Sequence, residues 1–197
     1  MNKKNIFITQ REEFISGEAR DTLDIRWSVF LDKCNISPII IPNNSIALKN
    51  YLLNYPCDGI VLTGGGLISS LGGLEKRDEI ENNLIKYSLE KDKPLIGICR
   101  GMQQIQSYYG VDLKKINGHV GSEFLINFQS HERKINSYHD YGTENSCSEL
   151  IVTSRSNDNI IKSITHSKNK IHGIMWHPER NNPLNELDIK FFKGVFQ

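Results

Sequence analysis

The residues with the clearest chemistry are a cysteine between two glycines, in Gly97-Ile98-Cys99-Arg100-Gly101, and a distant His-Pro-Glu triplet. The apolar residues 94–98 lead into the cysteine, and a helical pattern follows it. This arrangement predicts that Cys99 lies on a tight strand-to-helix turn, where only small neighbours fit. His177 would serve as the base and Glu179 as the carboxylate that orients its ring. The pattern therefore predicts a thiol nucleophile with a Cys-His-Glu triad.

The position of Cys99 also explains how its thiol would become reactive. The partial positive charge of a helix N-terminus and a nearby imidazolium both favour the thiolate over the thiol. The alternative for an isolated cysteine is a buried small apolar residue, and we assign that role to Cys34, Cys57 and Cys147. The four cysteines lack paired metal-ligand spacing, so we expect free thiols and a cytoplasmic protein.

Three consecutive glycines, Gly64-Gly65-Gly66, follow the apolar residues 59–63. Glycines after a strand let backbone N–H groups approach a substrate oxygen closely. The amides of Gly65 and Arg100 would together form an oxyanion hole. The alternative is a plain flexible turn, since the segment lacks the ending of a phosphate loop and the spacing of a dinucleotide fingerprint.

Short β-branched runs alternate with helical patterns along the first half of the chain. We predict strands at residues 5–10, 38–41, 59–63 and 94–98, and helices at 21–35, at 80–87 and at 100–109. This alternation implies an α/β fold, an open and mostly parallel sheet with helices on both faces. For the second half we predict strands at 150–154 and 171–176, a final helix over 184–195, and an irregular segment at 117–145.

The bulk composition predicts one soluble domain over residues 1–197. The hydrophobic content of 38% suffices for one sizeable core. The 24 basic and 23 acidic residues give a net charge of +1, so no global field recruits nucleic acid or an anionic membrane. The apolar run after the basic start of the chain is too short for a signal peptide, and no later run could span a bilayer.

Four histidines lie outside the triad and outside the segment 135–139: His119, His131, His166 and His172. No predicted helix carries two of them at metal-ligand spacing, so we expect surface or hydrogen-bonded roles. The sequence therefore predicts no metal and no cofactor.

Four segments resemble the class I glutamine amidotransferase superfamily, and its γ-glutamyl hydrolase branch in particular. They are Lys76-Arg77-Asp78, the stretch from Gly97 to Gln103, Ile135-Asn136-Ser137-Tyr138-His139, and Trp176-His177-Pro178-Glu179. The resemblance covers nearly the whole chain and implies a flavodoxin-like fold. It implies that Cys99 is the nucleophile, His177 the general acid and base, and Glu179 the orienting carboxylate.

The resemblance also implies which residues hold a γ-glutamyl substrate. They are Gly66, Gln103, Ser137, Tyr138 and His139. The chain departs from the branch after the glycines, where Leu67-Ile68-Ser69-Ser70 stands in place of an aspartate and a proline that the branch often has. This departure concerns the side of the site where the leaving group binds.

The segment 17–21 and Arg26 are unusually charged for the start of the predicted first helix. A functional interpretation pairs Arg20 or Arg26 with a phosphate of the leaving group, because guanidinium forks suit phosphate oxygens. The alternative is a solvated helix face. The pattern of Ile8-Thr9-Gln10-Arg11 followed by this Arg-Asp segment, taken as a helix, resembles the small hydrolases of bacterial capsule phosphoramidate pathways. That resemblance implies cleavage of γ-glutamyl-cytidine-diphosphoramidate to glutamate and cytidine diphosphoramidate.

Three classes of function stay open at this point. The first is a stand-alone hydrolase of a γ-glutamyl amide, either nucleotide-linked or a small γ-glutamyl amine. The second is a glutaminase subunit that passes ammonia to a synthetase partner, and the third is a non-catalytic thiol sensor. His177 and Glu179 argue against the sensor, which needs no oriented base. The expected partner is a small-molecule γ-glutamyl substrate, and a homodimer is compatible with the sequence.

Overall fold

A computed structural model describes residues 3–197; Met1 and Asn2, which open the basic start of the chain, lie outside the described residues. The strands are β1 (Lys4–Thr9), β2 (Arg11–Ile15), β3 (Glu18–Thr22), β4 (Ile36–Ile41), β5 (Gly59–Leu62), β6 (Leu95–Ile98), β7 (Lys114–Lys115), β8 (Val120–Phe128), β9 (His131–Tyr138), β10 (Tyr141–Gly142), β11 (Leu150–Arg155), β12 (Ile161–His166) and β13 (Ile171–Ile174). The helices are α1 (Arg26–Lys33), α2 (Ser45–Asn54), α3 (Glu75–Lys91), α4 (Arg100–Tyr108) and α5 (Glu186–Val195).

Seven of these strands form the central sheet, in the spatial order β11-β12-β13-β6-β5-β1-β4. The five strands from β13 to β4 run parallel, whereas β12 pairs antiparallel with both of its neighbours. The predicted open, mostly parallel α/β sheet is confirmed. Cys99 directly follows β6, an inner strand between β5 and β13. It therefore lies at the carboxyl edge of the sheet, where open α/β sheets bind ligands.

Helices cover both faces of the sheet because its inner strands are apolar on both sides. On β1, Ile6 and Ile8 face a core that includes Phe30 of α1 and Phe192 of α5. Phe7 points to the opposite core, which buried residues of α2, α3 and α4 complete. None of the helices in the described part of the chain has the length and apolar character needed to cross a bilayer.

The predicted helix at residues 21–35 is wrong at its start. Residues 17–21 belong to a hairpin in which β2 pairs antiparallel with β3. Its turn places Ser16 and Gly17 at positive φ, 51° and 82°, which two-residue hairpin turns favour. The helix α1 begins only at Arg26. The charged segment is therefore an exposed hairpin strand and not the first turn of a helix.

The segment 117–145, expected to be irregular, consists largely of a second hairpin. The strand β8 pairs antiparallel with β9 along nearly its whole length. Both strands mix exposed with buried side chains, and polar residues interrupt them, so their sequence does not show the continuous apolar run of a sheet core. The strand β12 is also absent from the predicted elements, and β13 ends at Ile174 instead of residue 176.

Candidate active site

Cys99 lies on the turn between β6 and α4, as predicted. Its backbone adopts φ 51° and ψ −105°, and a positive φ costs a non-glycine residue about 1 to 3 kcal/mol. The Cys99 N–H donates to the Ile174 carbonyl at 2.7 Å, and the Cys99 carbonyl accepts from the Gln103 N–H at 3.0 Å. The strand β13 and the first turn of α4 thus hold the turn that presents the thiol.

Close backbone packing explains the two glycines beside Cys99. A Cβ at Gly97 would lie 2.5 Å from the Gly101 carbonyl oxygen. A Cβ at Gly101 would lie 2.2 Å from the Leu62 carbonyl oxygen. The start of α4 therefore rests directly on β5 and β6, and the expectation of small neighbours around the cysteine is confirmed.

We expect Gly101→Ala to lower the free energy of unfolding by about 1 to 3 kcal/mol, because the new methyl group would overlap a backbone oxygen that cannot move away. Gly194→Ala is the matched control, since Gly194 also lies in a helix but has open space around its Cβ position. That control should gain up to about 1 kcal/mol. Urea denaturation of both variants measures the difference. Equal stabilities would contradict the close packing of α4 against β5.

His177 and Glu179 form a buried pair just beyond β13. The His177 Nδ1 atom lies 2.7 Å from Glu179 Oε1, and both side chains are almost fully buried. An extended segment was expected to align them, but the chain turns through the 3₁₀ segment Pro178–Arg180. The turn, not an extended strand, brings the carboxylate to Nδ1. This contact places the Nδ1 proton on the Glu179 side and leaves Nε2 for the thiol.

Gly64 shows that Cys99 and His177 converge on one point. A Cβ at Gly64 would lie 2.5 Å from His177 Cε1 and 3.3 Å from Cys99 Cβ. A side chain there would displace the imidazole. The first glycine of the loop is therefore required by the triad itself, a role that the sequence pattern does not distinguish from those of Gly65 and Gly66.

Electrostatics in the site favour a thiolate beside an imidazolium. Burial alone would raise the pKa of Cys99, but the charge and hydrogen bond of His177 outweigh it, and the Arg100 N–H adds to them. The pKa of Cys99 is consequently lowered. Burial acts to lower the pKa of His177, yet Cys99 and Glu179 raise it to about 9. These opposite shifts favour the charged form of both groups at neutral pH.

The other cysteines have different surroundings. Cys34 and Cys57 are buried as predicted, and burial raises the pKa of Cys34 to about 12. Burial likewise raises the pKa of Cys57. Cys147 is only partly buried, unlike the buried position expected of it. The pKa of Cys99 is thus lowered, whereas the pKa values of Cys34 and Cys57 are raised. A lowered pKa is the shift that a nucleophilic thiol requires.

The glycine loop is held in place from α3. Gly65 and Gly66 have positive φ values of 86° and 76°. The Arg77 guanidinium donates to the carbonyls of Gly65 at 2.7 Å and Thr63 at 2.6 Å. These bonds fix the loop whose Gly65 amide was predicted to line an oxyanion hole.

Arg100 contributes to the site through its backbone and its side chain. Its amide opens α4, where amides have no acceptor within the helix. Its buried guanidinium pairs with Asp78 and Glu81 of α3 and donates from Nε to the Leu67 carbonyl at 3.2 Å. Glu81 also accepts from Arg77 Nε at 2.9 Å. Arg77 and Asp78, which belong to a segment that resembles the hydrolase branch, are therefore part of a buried ionic network. Glu81, which also belongs to this network, was not predicted from the sequence.

The residues expected to hold the glutamyl group are placed in two ways. Tyr138 faces the triad, with its ring edge-on and 5.8 Å from the ring of His177. Gly66 is exposed, with open space at its Cβ position. Tyr138 and Gly66 are both accessible to solvent.

The side chains of Gln103, Ser137 and His139 are instead bonded to the protein. Gln103 Nε2 and His139 Nδ1 both lie 2.9 Å from the carbonyl oxygen of Tyr141. Ser137 Oγ and His139 Nε2 both face the Lys162 ammonium. The structure therefore brings these three residues close to the site as supports for the backbone.

Asn136 is a further site residue, which holds the backbone of His177. Its Nδ2 donates to the His177 carbonyl at 2.9 Å, and its Oδ1 accepts from the His177 N–H at 2.8 Å. The signal was present in the sequence, because Asn136 belongs to the motif that resembles the hydrolase branch. Its partner could not be read from the motif.

The two arginines expected on the leaving-group side are placed differently from each other. Arg20 lies on the exposed hairpin, where its Nη2 is 2.6 Å from Glu18. Arg26 opens α1 and pairs with Asp24 at 2.6 Å. The pKa of Arg26 is raised, first by Asp24 and also by the charge of Glu179. The structure therefore places Arg26 at the start of α1, which packs against the segment Pro178–Arg180, whereas Arg20 lies on the exposed hairpin.

Two other arginines border the triad without having been foreseen. Arg180 directly follows Glu179; its Nε is 3.5 Å from Glu179 Oε1, and its guanidinium carbon is 4.7 Å from the centre of the Tyr138 ring. Arg11 packs against Gly65 and lines, with Arg180, a small cavity that reaches the triad. The position of Arg180 next to the His-Pro-Glu triplet was the available signal.

The remaining histidines make hydrogen bonds, as expected. Their partners are Asp158 for His119, the Gln129 carbonyl for His131, the Lys168 N–H for His166 and Thr165 for His172. Within residues 3–197 no group of three or more His, Cys, Asp or Glu side chains is arranged to hold a metal ion. The absence of a metal stays a prediction.

Several known proteins are similar to this chain. A profile of the family described as Glutamine amidotransferase class-I matches residues 30–193. The gamma-glutamyl-CDP-amidate hydrolase of Campylobacter jejuni is 31% identical over 179 residues, which cover 87% of each chain. Anthranilate synthase component 2 of Saccharolobus solfataricus is 31% identical over 157 residues, covering 72% of this chain and 77% of that protein. A glutamine amidotransferase structure from Thermotoga maritima, 16% identical, shares the fold with a TM-score of 0.67 over 99% of this chain and 95% of that one.

Proposed function

Because the chain belongs to the class I glutamine amidotransferase family, we propose that it hydrolyses a γ-glutamyl amide through Cys99, His177 and Glu179. The observation that carries the proposal is the buried Cys99–His177 pair at a strand-to-helix turn. Its opposite pKa shifts make a thiolate available at neutral pH. The proposal treats residues 1–197 as one domain.

The reaction has two steps. The Cys99 thiolate adds to the γ-carbonyl carbon, and the Gly65 and Arg100 amides stabilise the oxyanion, each by about 3 kcal/mol of barrier. The carbon–nitrogen bond breaks as His177 gives its proton to the departing nitrogen, which leaves a γ-glutamyl thioester. Water then gives a proton to His177, attacks the thioester and releases glutamate, which restores the thiolate and the imidazolium.

The glutamyl group would bind along the backbone of Ser137 and Tyr138, with Gly66 opposite. Gln103 and His139 support that backbone, because both donate to the same Tyr141 carbonyl. In this proposal these two residues act by fixing the shape of the site. Their side chains need not bond to the substrate.

For the leaving group we propose a nucleoside diphosphoramidate, so that γ-glutamyl-cytidine-diphosphoramidate yields glutamate and cytidine diphosphoramidate. The hydrolase from Campylobacter jejuni supports this choice through its similarity over most of the chain. The guanidinium groups of Arg11 and Arg180 support it physically, because both line the small cavity beside His177 and Glu179 and offer the donors that phosphate oxygens prefer. We propose that Arg26, at the start of α1, extends this set. Arg20, which was also expected there, is paired with Glu18 on the exposed hairpin and is left out of this proposed phosphate site.

The test of the proposed function is a comparison of substrates. The pure protein is incubated with glutamine, with small γ-glutamyl amines and with γ-glutamyl-cytidine-diphosphoramidate (γ-glutamyl-CDP-amidate). The release of glutamate from each is measured. The expected result is the highest kcat/KM for γ-glutamyl-CDP-amidate. Equal values for small amines would refute the nucleotide leaving group, and no release from any of the three would refute the hydrolase.

Arg180→Ala is expected to lower kcat/KM for γ-glutamyl-CDP-amidate about tenfold or more, because a charge-assisted hydrogen bond to phosphate is lost. The same variant should change kcat/KM for γ-glutamyl amines, which carry no phosphate, much less. Arg20→Ala is the matched control, since Arg20 is paired with Glu18 on the exposed hairpin. An Arg20→Ala loss as large as that of Arg180→Ala would extend the phosphate site to the hairpin and contradict a phosphate site centred on Arg180.

A glutaminase subunit is the second candidate function. The similarity to anthranilate synthase component 2 favours it, because that protein is by name one component of a larger enzyme. Under this alternative, glutamine would be the preferred substrate and its hydrolysis would rise on addition of a synthetase partner. Full activity of the isolated chain towards γ-glutamyl-CDP-amidate would exclude it.

A further inference from the structure

Lys162 is a fully buried cation that the proposed reaction does not use. It lies on β12 with no exposed surface. Its ammonium is 2.8 Å from His119 Nδ1, 2.9 Å from His139 Nε2 and 3.3 Å from Ser137 Oγ, and it lies 4.2 Å from the centre of the Phe124 ring. Lysine is almost never fully buried without a partner. The partners of Lys162 are neutral acceptors instead of a carboxylate.

The neighbouring groups define which ring nitrogens carry protons. His119 Nε2 lies 2.8 Å from Asp158 Oδ2, so that nitrogen carries the proton and Nδ1 accepts from Lys162. His139 Nδ1 lies 2.9 Å from the Tyr141 carbonyl, so Nε2 accepts from Lys162. Burial, and then the Lys162 charge, lower the pKa of His139 to about 3. The three N–H donors of one ammonium thus meet three acceptors.

The Lys162 cluster contacts the end of β9, the strand whose Asn136 holds the backbone of His177. Ser137 and His139 point towards Lys162. The residues that alternate with them, Asn136 and Tyr138, contact His177 on the other side. Successive side chains of a strand point to opposite faces, so fixing one set fixes the other.

We propose that Lys162 is a positioning residue whose ammonium holds the end of β9, and with it the Asn136 clamp, in register with His177. Because His177 in turn favours the Cys99 thiolate, loss of the Lys162 ammonium should be felt at Cys99 through the placement of His177. The inference rests on the proposed function, because it takes Cys99 as the nucleophile. It does not depend on the identity of the leaving group.

Two titratable groups contact the Lys162 ammonium, His119 before β8 and His139 after β9. Asp158 faces it through His119, and Cys99, just before α4, acts on it through its charge. His177 acts through its charge on His139. Burial lowers the pKa of Lys162 to about 8, while Asp158 and Cys99 act to raise it. The ammonium is therefore present at pH 7 and is lost as the pH rises through about 8.

The test is alkylation of Cys99 by iodoacetamide in the full-length protein at a series of pH values, with Cys99 resolved from the other thiols by peptide mass. Lys162→Met is expected to raise the pH midpoint of alkylation by roughly half a unit or more. The matched control is Lys170→Met, which removes an exposed lysine paired with Asp92. It should leave the midpoint unchanged.

A purely structural role for Lys162 would lower the melting temperature without moving the midpoint, and that result would overturn the proposal. If Lys162→Met does not fold, Asp158→Asn serves instead, because Asp158 is half-exposed. In Asp158→Asn, Lys162 loses its proton more easily, so an effect through the cluster should raise the pH midpoint of Cys99 alkylation. The loss of a negative charge would, acting directly on Cys99, lower that midpoint. A lowered midpoint would therefore overturn the proposal.

The alkylation assay uses no substrate, so its outcome is separate from that of the hydrolysis assay. A shifted midpoint in a protein that hydrolyses none of the γ-glutamyl compounds would refute the proposed function and keep Lys162 as a positioning residue. An unshifted midpoint in a protein that does hydrolyse a γ-glutamyl compound would keep the proposed function and refute Lys162 as a positioning residue.

Discussion

A Cys99→Ala variant is expected to release glutamate from γ-glutamyl-CDP-amidate at least about a thousandfold more slowly than the parent protein. The reason is that thioester formation requires the sulfur, whereas the bound water and the remaining donors give only residual catalysis. Steady-state glutamate release measures the effect. A melting temperature close to that of the parent shows that the loss is chemical.

Cys99→Gly is the control for the strained turn. The φ of 51° at Cys99 suits glycine better than alanine, so Cys99→Gly should be equally inactive and at least as stable as Cys99→Ala. Rapid acid quenching of the parent protein during turnover should show a γ-glutamyl adduct on the peptide that contains Cys99. Full turnover by Cys99→Ala would refute the thioester route.

The fold could be predicted from the sequence where burial dictates composition. The inner strands β1, β5 and β6 are largely buried on both faces, so each appears as a short apolar run, and all three runs were identified. The edge strand β4, although only partly buried, was identified from its run of isoleucines. The turn at Cys99 could be predicted as well, because Gly97 and Gly101 are demanded by backbone contacts to adjacent strands. Local sequence carries these features because local packing creates them.

The two hairpins could not be predicted in the same way. The strands β2, β3, β8 and β9 lie outside the central sheet and expose many of their side chains, so no apolar pattern marks them. The charged residues 17–21 therefore suggested a helix start near Arg20. Position in the hairpin, and not residue type, decides that Arg20 pairs with Glu18.

The supports of the site depend on contacts between residues far apart in the chain. Arg100 meets Asp78 and Glu81 across the gap between α4 and α3, and Lys162 meets His139 from another strand. No spacing rule predicts such contacts before the sheet order is known. The residues proposed to act in the reaction could be found from motifs, but the buried ionic groups around them required the structure.

Glu179→Gln is expected to lower kcat about a hundredfold to ten-thousandfold, because the amide cannot stabilise the imidazolium and leaves His177 free to take the wrong tautomer. The geometry should persist, since the amide oxygen can still accept from Nδ1 at the observed 2.7 Å. Kinetics with γ-glutamyl-CDP-amidate measure the loss. Glu186→Gln, at the exposed start of α5, is the matched control and should keep full activity.

The pH profile of Glu179→Gln separates this electrostatic role from a structural one. Cys99 and Glu179 raise the pKa of His177 to about 9 in the parent, so its imidazolium is present at neutral pH and is lost as the pH rises through about 9. Stability from the raised pKa follows the same sign: it is complete below the unfolded value near 6.5 and is lost as the pH rises through about 9. Removing the carboxylate lowers the pKa of His177, so the alkaline limb of kcat/KM should move to lower pH. An unmoved limb with reduced kcat would show that Glu179 acts by packing alone.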